Sequence, residues 1–142
     1  MSTNKFKLEL PSFSSNEAFA RVTVAAFVAQ LDPTVDEIAD IKTSVSEAVT
    51  NSIVHAYPDS IGMIYITCEL SDNELKVKIR DKGRGIENVK QAMEPLYTTG
   101  GEERAGLGFA VMESFMGRVK VTSKPGKGTT VTMEKRIWGK SI

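Results

Sequence analysis

Ser46-Glu47-Ala48-Val49-Thr50-Asn51-Ser52-Ile53-Val54-His55-Ala56-Tyr57 is the stretch from which the rest of the chain is read. Glu47, Asn51 and His55 recur every four residues. On a helix four residues advance about 400° and roughly 6 Å, so the three form one slightly slanted polar stripe. Most helices carry apolar groups at that spacing. Here it carries a carboxylate, an amide and an imidazole, groups able to hold a metal and a reacting hydroxyl. Upstream, Thr34 and Glu37 have the spacing of a capping box and predict a helix from there to about residue 57. Ile38, Ile41, Val45, Ala48 and Ser52 fall on its core face. Asn51 lies beside that face, Glu47 further round and His55 closer in, so the stripe is expected to line a groove at the edge of the core.

Alternation gives the strands. Lys5-Phe6-Lys7-Leu8-Glu9-Leu10 reads as the first, ended by Pro11. Residues 63–70 and 75–81 alternate about the turn Ser71-Asp72-Asn73-Glu74 and form a hairpin. Residues 119–123 and 129–136 are strands around Lys124-Pro125-Gly126-Lys127-Gly128. Ser14 and Glu17 predict a further capping box and a helix to about residue 31, stopped by Asp32-Pro33. Its second half, Val22-Thr23-Val24-Ala25-Ala26-Phe27-Val28-Ala29, is apolar nearly all round. That fits a helix buried on several sides, or one with a partner surface edged by Glu17 and Arg21. A short helix is expected over 86–94, stopped by Pro95. A mobile loop follows over 96–105, then a helix over 107–115 with Gly117 as its C-cap. The sum is a two-layer α/β sandwich, a mixed and mostly antiparallel sheet with helices on one face.

The length of 142 residues fits a single domain spanning 1–142. Lys plus Arg is 18 and Asp plus Glu is 18, and a net charge of zero is not the footprint of a nucleic-acid binder. Cys68 is the only cysteine, so no internal disulfide forms and a reducing compartment fits. The first residues are polar, without a signal-peptide core, and no apolar run is long enough to span a bilayer. These features predict a soluble, cytoplasmic protein with no membrane contact.

Asp81 shares parity with Leu75, Val77 and Ile79, so it is expected to face the apolar layer at its strand's end. A carboxylate there is costly without a partner. Asp81-Lys82-Gly83-Arg84-Gly85 can supply that carboxylate to the exocyclic amine of adenine, with Gly83 and Gly85 letting the backbone approach a flat ring. The plainer alternative is an Asp-Gly turn after a strand. Gly106-Leu107-Gly108 at a helix start exposes N–H groups to an anion, and the preceding loop with Thr98, Thr99 and Arg104 can close over a triphosphate. The plainer alternative is a glycine N-cap after a loop. Gly126-Lys127-Gly128-Thr129-Thr130 lacks the P-loop spacing and reads as a hairpin turn, with Thr130 placed toward a bound base. In the stripe, Asn51 suits Mg²⁺ that already holds phosphates, and Glu47 can orient a hydroxyl and accept its proton. His55 reads as a helix-end histidine satisfied locally. One His and one Cys do not make a zinc site.

The three elements in this order resemble the ATPase superfamily of gyrase, the Hsp90 chaperones, histidine kinases and MutL. Within it, the stretch from Ser46-Glu47-Ala48 to His55-Ala56-Tyr57 resembles the anti-sigma-factor serine kinases, as Glu at position 47 separates these from typical histidine kinases. The segments Phe19-Ala20-Arg21-Val22-Thr23-Val24-Ala25-Ala26-Phe27-Val28-Ala29-Gln30-Leu31-Asp32-Pro33-Thr34 and Glu94-Pro95-Leu96-Tyr97-Thr98-Thr99 are similar to the sporulation branch of that family.

The resemblance implies a dimeric protein that binds ATP and Mg²⁺ in a Bergerat-type fold. It implies two protein partners, a sporulation sigma factor of the F type and an anti-anti-sigma protein phosphorylated on serine. Glu47 would be the catalytic base, Asn51 the Mg²⁺ ligand and Asp81 the adenine anchor. The first helix with Arg21 would be the dimer and partner surface. A general-stress anti-sigma kinase shares this chemistry. A nucleotide-gated binding module would need only Asn51 and Asp81. A detached histidine-kinase domain is disfavoured by Glu47 and by the lack of an acceptor-histidine domain.

Overall fold

In the strand 74–81, Leu75, Val77, Ile79 and Asp81 are buried while Lys76, Lys78 and Arg80 are exposed, so period-2 patterning has become one covered and one open face. The computed structural model describes residues 3–86, 88–89 and 102–140, with the backbone alone for 102–107. Its strands are β1 (Asn4–Pro11), β2 (Met63–Ser71), β3 (Glu74–Asp81), β4 (Arg118–Lys124) and β5 (Gly128–Arg136). They form one five-stranded sheet in the order β1-β2-β3-β5-β4. Every pairing is antiparallel, so the expected mixed sheet has no parallel pair among the described strands. Helices α1 (Asn16–Val28), α2 (Val35–Asn51) and α3 (Glu102–Phe115) complete the α/β fold, with α2 packed against both α1 and α3.

The core is one cluster in which Ile41, Val45 and Val49 of α2 join Ile64, Ile66 and Cys68 of β2, Val77 and Ile79 of β3, and Met112 of α3. Each fully buried aliphatic side chain contributes roughly 1.5–3 kcal/mol. Burial also pushes the Cys68 thiol up to about 12, so it packs as an inert apolar group. No helix of the described residues is long and apolar enough to cross a membrane.

The capping box at α2 forms as its spacing predicts. The Glu37 N–H donates to Thr34 Oγ1 at 3.1 Å, and the Thr34 N–H donates to Glu37 Oε1 at 2.9 Å. Glu37 also accepts the N–H groups of Trp138 at 2.7 Å and Gly139 at 3.1 Å. Burial alone would raise this carboxyl. The donors from Thr34, Trp138 and Gly139 outweigh burial and hold it below its ordinary value of 4.5.

The expected Ser14–Glu17 capping box does not form. Helix α1 begins at Asn16, and Ser15 at its N-cap makes no side-chain bond. The Asn16 and Glu17 N–H groups bond to the carbonyls of Phe13 and Ser14, so a preceding turn already satisfies them. Glu17 turns instead to Arg21, with Oε2 3.1 Å from Nε. The helix ends at Val28, a 3₁₀ turn continues it to Leu31, and Asp32 closes it at φ 51°. Ala20, Val24, Ala25 and Val28 are buried, whereas Phe19 and Val22 are 52% and 56% exposed. The helix therefore buries one side in the core and leaves the apolar Phe19 and Val22 uncovered on the other.

Two further boundaries differ. Helix α2 does not run regularly to residue 57. After Asn51 it widens into a π-helical turn, Ser52–Ala56, closed by the Tyr57 N–H on the Ser52 carbonyl at 3.1 Å. Helix α3 starts at Glu102, not at residue 107. Glu102, Glu103, Arg104 and Ala105 are good helix formers, and acidic residues complement a helix start. The expected loop over 96–105 thus ends in helix. Its earlier part, and most of the expected short helix over 86–94, lie outside the described residues.

Candidate functional site

Asp81 ends β3 facing the helices, as strand parity requires, and is only 5% exposed. Three donors hold its carboxylate. Ser52 Oγ from the π turn donates to Oδ2 at 3.1 Å, and the N–H groups of Gly83 and Thr129 donate to Oδ1 at 3.0 and 3.1 Å. Burial raises its pKa above the ordinary 3.8, against the lowering effect of those bonds. A carboxylate has about four acceptor sites. Three are used, so the group can still accept from an exocyclic amine on a ring.

The glycines after Asp81 also meet neighbouring backbone. A Cβ on Gly83 would collide with the Ala56 carbonyl at the end of the π turn, and one on Gly85 with the Lys124 carbonyl. Gly85 also has φ 75°. These residues let the loop approach protein backbone closely. The Arg84 N–H bonds to the Ala56 carbonyl at 3.2 Å, and the Gly126 N–H to the Arg84 carbonyl at 2.6 Å. The loop is clamped between the end of α2 and the β4–β5 turn, which fixes Asp81 beside it. Gly85 lines the pocket; Gly83 serves it through its N–H to Asp81.

That pocket encloses about 560 Å³, part of it open to solvent. Ala48, Ile86, Phe109 and Val131 supply apolar walls suited to a flat ring. Asn51, Ser52, Asp81 and Thr129 supply polar groups. His55 lines the wall too, because the π turn keeps it on the pocket side. Glu47 lies beyond Asn51, next to α3. A Cβ on Gly108 would lie 3.0 Å from Glu47 Oε2 and 3.3 Å from Asn51 Nδ2. Gly108 thus lets α3 pack directly on the polar stripe.

Thr130 does not reach this pocket. It pairs with Arg80 and Thr122 on the open side of the sheet, and its neighbour Thr129 faces inward with Val131 and Met133. The parity of Val131 and Met133 carried that signal in the sequence. Gly106 and Gly108 lie inside α3 rather than at its start, so their N–H groups are not the free ones of its first turn. Arg104 lies in that first turn, and its side chain is outside the described residues, as are Thr98 and Thr99. Sequence reasoning missed Ser52, Thr129 and Phe109 as pocket residues. A serine on the core face of a helix was the available sign for Ser52.

Does Mg-nucleotide fit these residues? No group of three His, Cys, Asp or Glu able to hold a metal occurs among the described residues. A cation here would need oxygens from a ligand such as a phosphate chain. The Asn51 amide nitrogen is buried without a hydrogen-bond partner among the described residues. Amide ends are interchangeable by rotation, so Asn51 has unused capacity to offer its oxygen. With the buried Asp81 acceptor and the apolar walls, the residue set fits an adenine nucleotide with a divalent cation.

The family described as the histidine kinase-like ATPase domain matches residues 14–135. The chain is 57% identical over 135 residues to the anti-sigma F factor of Caldanaerobacter subterraneus subsp. tengcongensis, covering 94% of each. It is 56% identical over 139 residues to that of Clostridium beijerinckii, covering 96% of this chain and 97% of the relative. Among solved structures, the RsbU and RsbW domains of a Mycobacterium tuberculosis protein superpose with a TM-score of 0.69 at 20% identity. That match covers 94% of this chain and 32% of the other, so the chain spans about a third of the length of that solved chain. The histidine kinase domain of a blue-light-activated kinase from Erythrobacter litoralis gives 0.56 at 22% identity, covering 85% and 60%. At these identities the structural likenesses speak for the fold alone.

Proposed function

The chain belongs to the histidine kinase-like ATPase domain family, alongside the anti-sigma F factors, and on that premise we propose that it is an anti-sigma factor and a protein-serine kinase. It would sequester a sigma factor of the sporulation F type from RNA polymerase, and phosphorylate a serine of an anti-anti-sigma antagonist, all in the cytoplasm. The observation that carries the nucleotide part is the buried Asp81 carboxylate, held by three donors at the end of a pocket that leads to Asn51.

Bound Mg-ATP supplies the phosphoryl group and the cation that offsets its charge. Asp81 holds the base by its amine, Phe109 and Ile86 keep water from the ring, and Asn51 offers an oxygen to the cation. Glu47, one turn before Asn51, orients the substrate serine and takes its proton. Little base strength is needed, because phosphoryl transfer rests mainly on positioning and charge stabilisation. The same reading has the whole of 1–142 as one kinase domain, with Thr98, Thr99, Arg104, Gly106 and Gly108 belonging to the phosphate side. Homodimerisation through α1 is supported by its uncovered Phe19 and Val22, with Arg21 at the rim. The presence of Glu47 supports a kinase over a nucleotide-gated binder.

The direct test mixes the protein with ATP, Mg²⁺ and a candidate antagonist and looks for phosphoserine by mass spectrometry. Phosphoserine on the antagonist is expected. Tight ATP binding without any phosphoserine would leave the binder and remove the kinase.

A further inference from the structure

The sheet face turned away from the helices carries its charges in rows that run across the strands. One row reads Lys5, Glu69, Lys76, Glu134, Arg118 by strand register, alternating in sign from edge to edge. The next row on this face reads Lys7, Thr67, Lys78, Thr132, Lys120, with cations and hydroxyls and no acid. The third row reads Glu9, Tyr65, Arg80, Thr130, Thr122, with one acid at its β1 edge, and Lys82 follows past the end of β3; Arg80 and Lys82 each stand 5.1 Å from the centre of the Tyr65 ring. Arg80, Lys82, Lys124 and Lys127 then border a shallow groove with Thr122 and Thr130. Lys7, Lys78, Lys120, Lys124 and Lys127 are exposed and form no ion pair among the described residues.

Folding does not call for this arrangement. Lys76, Lys78 and Arg80 follow one another on one face of β3, with Lys82 just past its end, and like charges about 7 Å apart repel. The first row offsets its cations with Glu69 and Glu134; the second does not. The whole chain has zero net charge, so this is a local concentration on one face.

We infer that this face docks an extended acidic segment of a partner protein, lying across the strands with carboxylates at every third residue. The spacing sets that pattern. Lys7, Lys78 and Lys120 are two strands apart in turn, which is about 10 Å at ~4.8 Å per strand, close to one turn of an extended polyproline II segment, three residues at ~3.1 Å each, in which every third side chain faces the same way. The threonines between them add hydroxyls for the segment's backbone carbonyls. A single-stranded nucleic acid fits less well. Its bases need an open aromatic platform, and the Tyr65 ring already carries two cations. The face lies on the other side of the sheet from the nucleotide pocket, so the inference does not rest on the proposed kinase activity.

The test uses the full chain and a labelled peptide with glutamate at every third position over about seven residues, titrated by fluorescence anisotropy at low ionic strength. Binding that weakens with salt is expected. Lys78→Glu with Lys120→Glu should cost about tenfold or more in affinity, while Lys42→Glu with Lys140→Glu, the same charge change away from this face, should cost less than about threefold. Thermal unfolding checks that both variants are folded. Should the reversal variant not fold, Lys78→Gln with Lys120→Gln is expected to weaken the peptide by about threefold. Equal losses in the two charge-reversal variants, no peptide binding by the parent chain, or tighter binding of an oligothymidylate of matching length would each overturn the inference.

Discussion

The two ends of the pocket are built differently. At the base end, Asp81 is gripped by Ser52, Gly83 and Thr129, and the loop after it is clamped by Ala56 and Lys124 on either side. At the phosphate end, the Asn51 amide nitrogen has no partner among the described residues, and α3 sits on Glu47 through the bare hydrogen of Gly108. One end is finished before a ligand arrives; the other keeps bonding capacity in reserve. Preorganisation lowers the cost of binding at the first end. At the second, α3 packs closely on the stripe while the Asn51 amide keeps a bond to offer.

The sharpest way to separate the ends is Glu47→Gln. Phosphoryl transfer should fall by about 10²–10⁴-fold, the usual range for a lost general base, with ATP affinity nearly unchanged. Rapid-quench rates beside calorimetry measure both, and transfer at the parent rate would remove Glu47 as base. Asp81→Asn attacks the other end. An amide keeps the geometry but turns a donor toward the ligand's amine, so ATP affinity should drop about 100-fold. Asp81→Ala should do the same with a larger loss of stability, and unchanged ATP affinity in calorimetry for either variant would break the base assignment.

Asp81→Asn also has a stability sign. The folded pKa is raised, so protonated Asp81 favours folding, and this contribution fades as pH rises from the ordinary 3.8 through the folded value. The Asn variant should therefore gain on the parent chain as pH rises toward neutrality, and lose that advantage near pH 3.8. Urea midpoints across pH would show the trend, or its reverse. Glu37 has the opposite sign, with a folded pKa held below 4.5. Glu37→Gln should cost about 2 kcal/mol at neutral pH by loss of charged hydrogen bonds. That cost should vanish as pH falls below 4.5 through the folded value, because the parent chain then loses the same bonds. A pH-independent difference would mean that packing, not charge, sets it.

The smallest expected effect tests the α3 contact. Gly108→Ala puts a methyl 3.0 Å from the Glu47 carboxylate, whose flexible end can shift by a few tenths of an ångström. Helix propensity favours Ala by roughly 1 kcal/mol, so stability should hold or rise. Phosphoryl transfer should fall by up to about tenfold, with the Tm unchanged or higher. A fall in both would show that α3 cannot accommodate the methyl.

Much of this was legible along the chain, and the misses share a cause. The Thr34–Glu37 box and the inward Asp81 follow from helix spacing and strand parity, which are local. Thr130 was assigned where Thr129 belongs because the turn with Gly126 at φ 75° and Gly128 at φ 100° obscures where the strand's alternation begins. The Ser14–Glu17 box had the right spacing and lost to a turn whose carbonyls already satisfied the helix. Gly83 was read as room for a ring, when the close neighbour is Ala56, twenty-seven positions away in the chain.

By itself the sequence determined the strands, the polar stripe and the carboxylate at the end of β3, because each depends on a period of two or on 3.6 residues per turn. Only the tertiary structure decided which groups meet. Ser52 and Thr129 reach Asp81 from elements 29 and 48 positions away, and Glu37 receives the chain's end from 101 and 102 positions away. A hydrogen bond acts over about 3 Å, and no periodicity along a chain specifies which distant segments come within that reach.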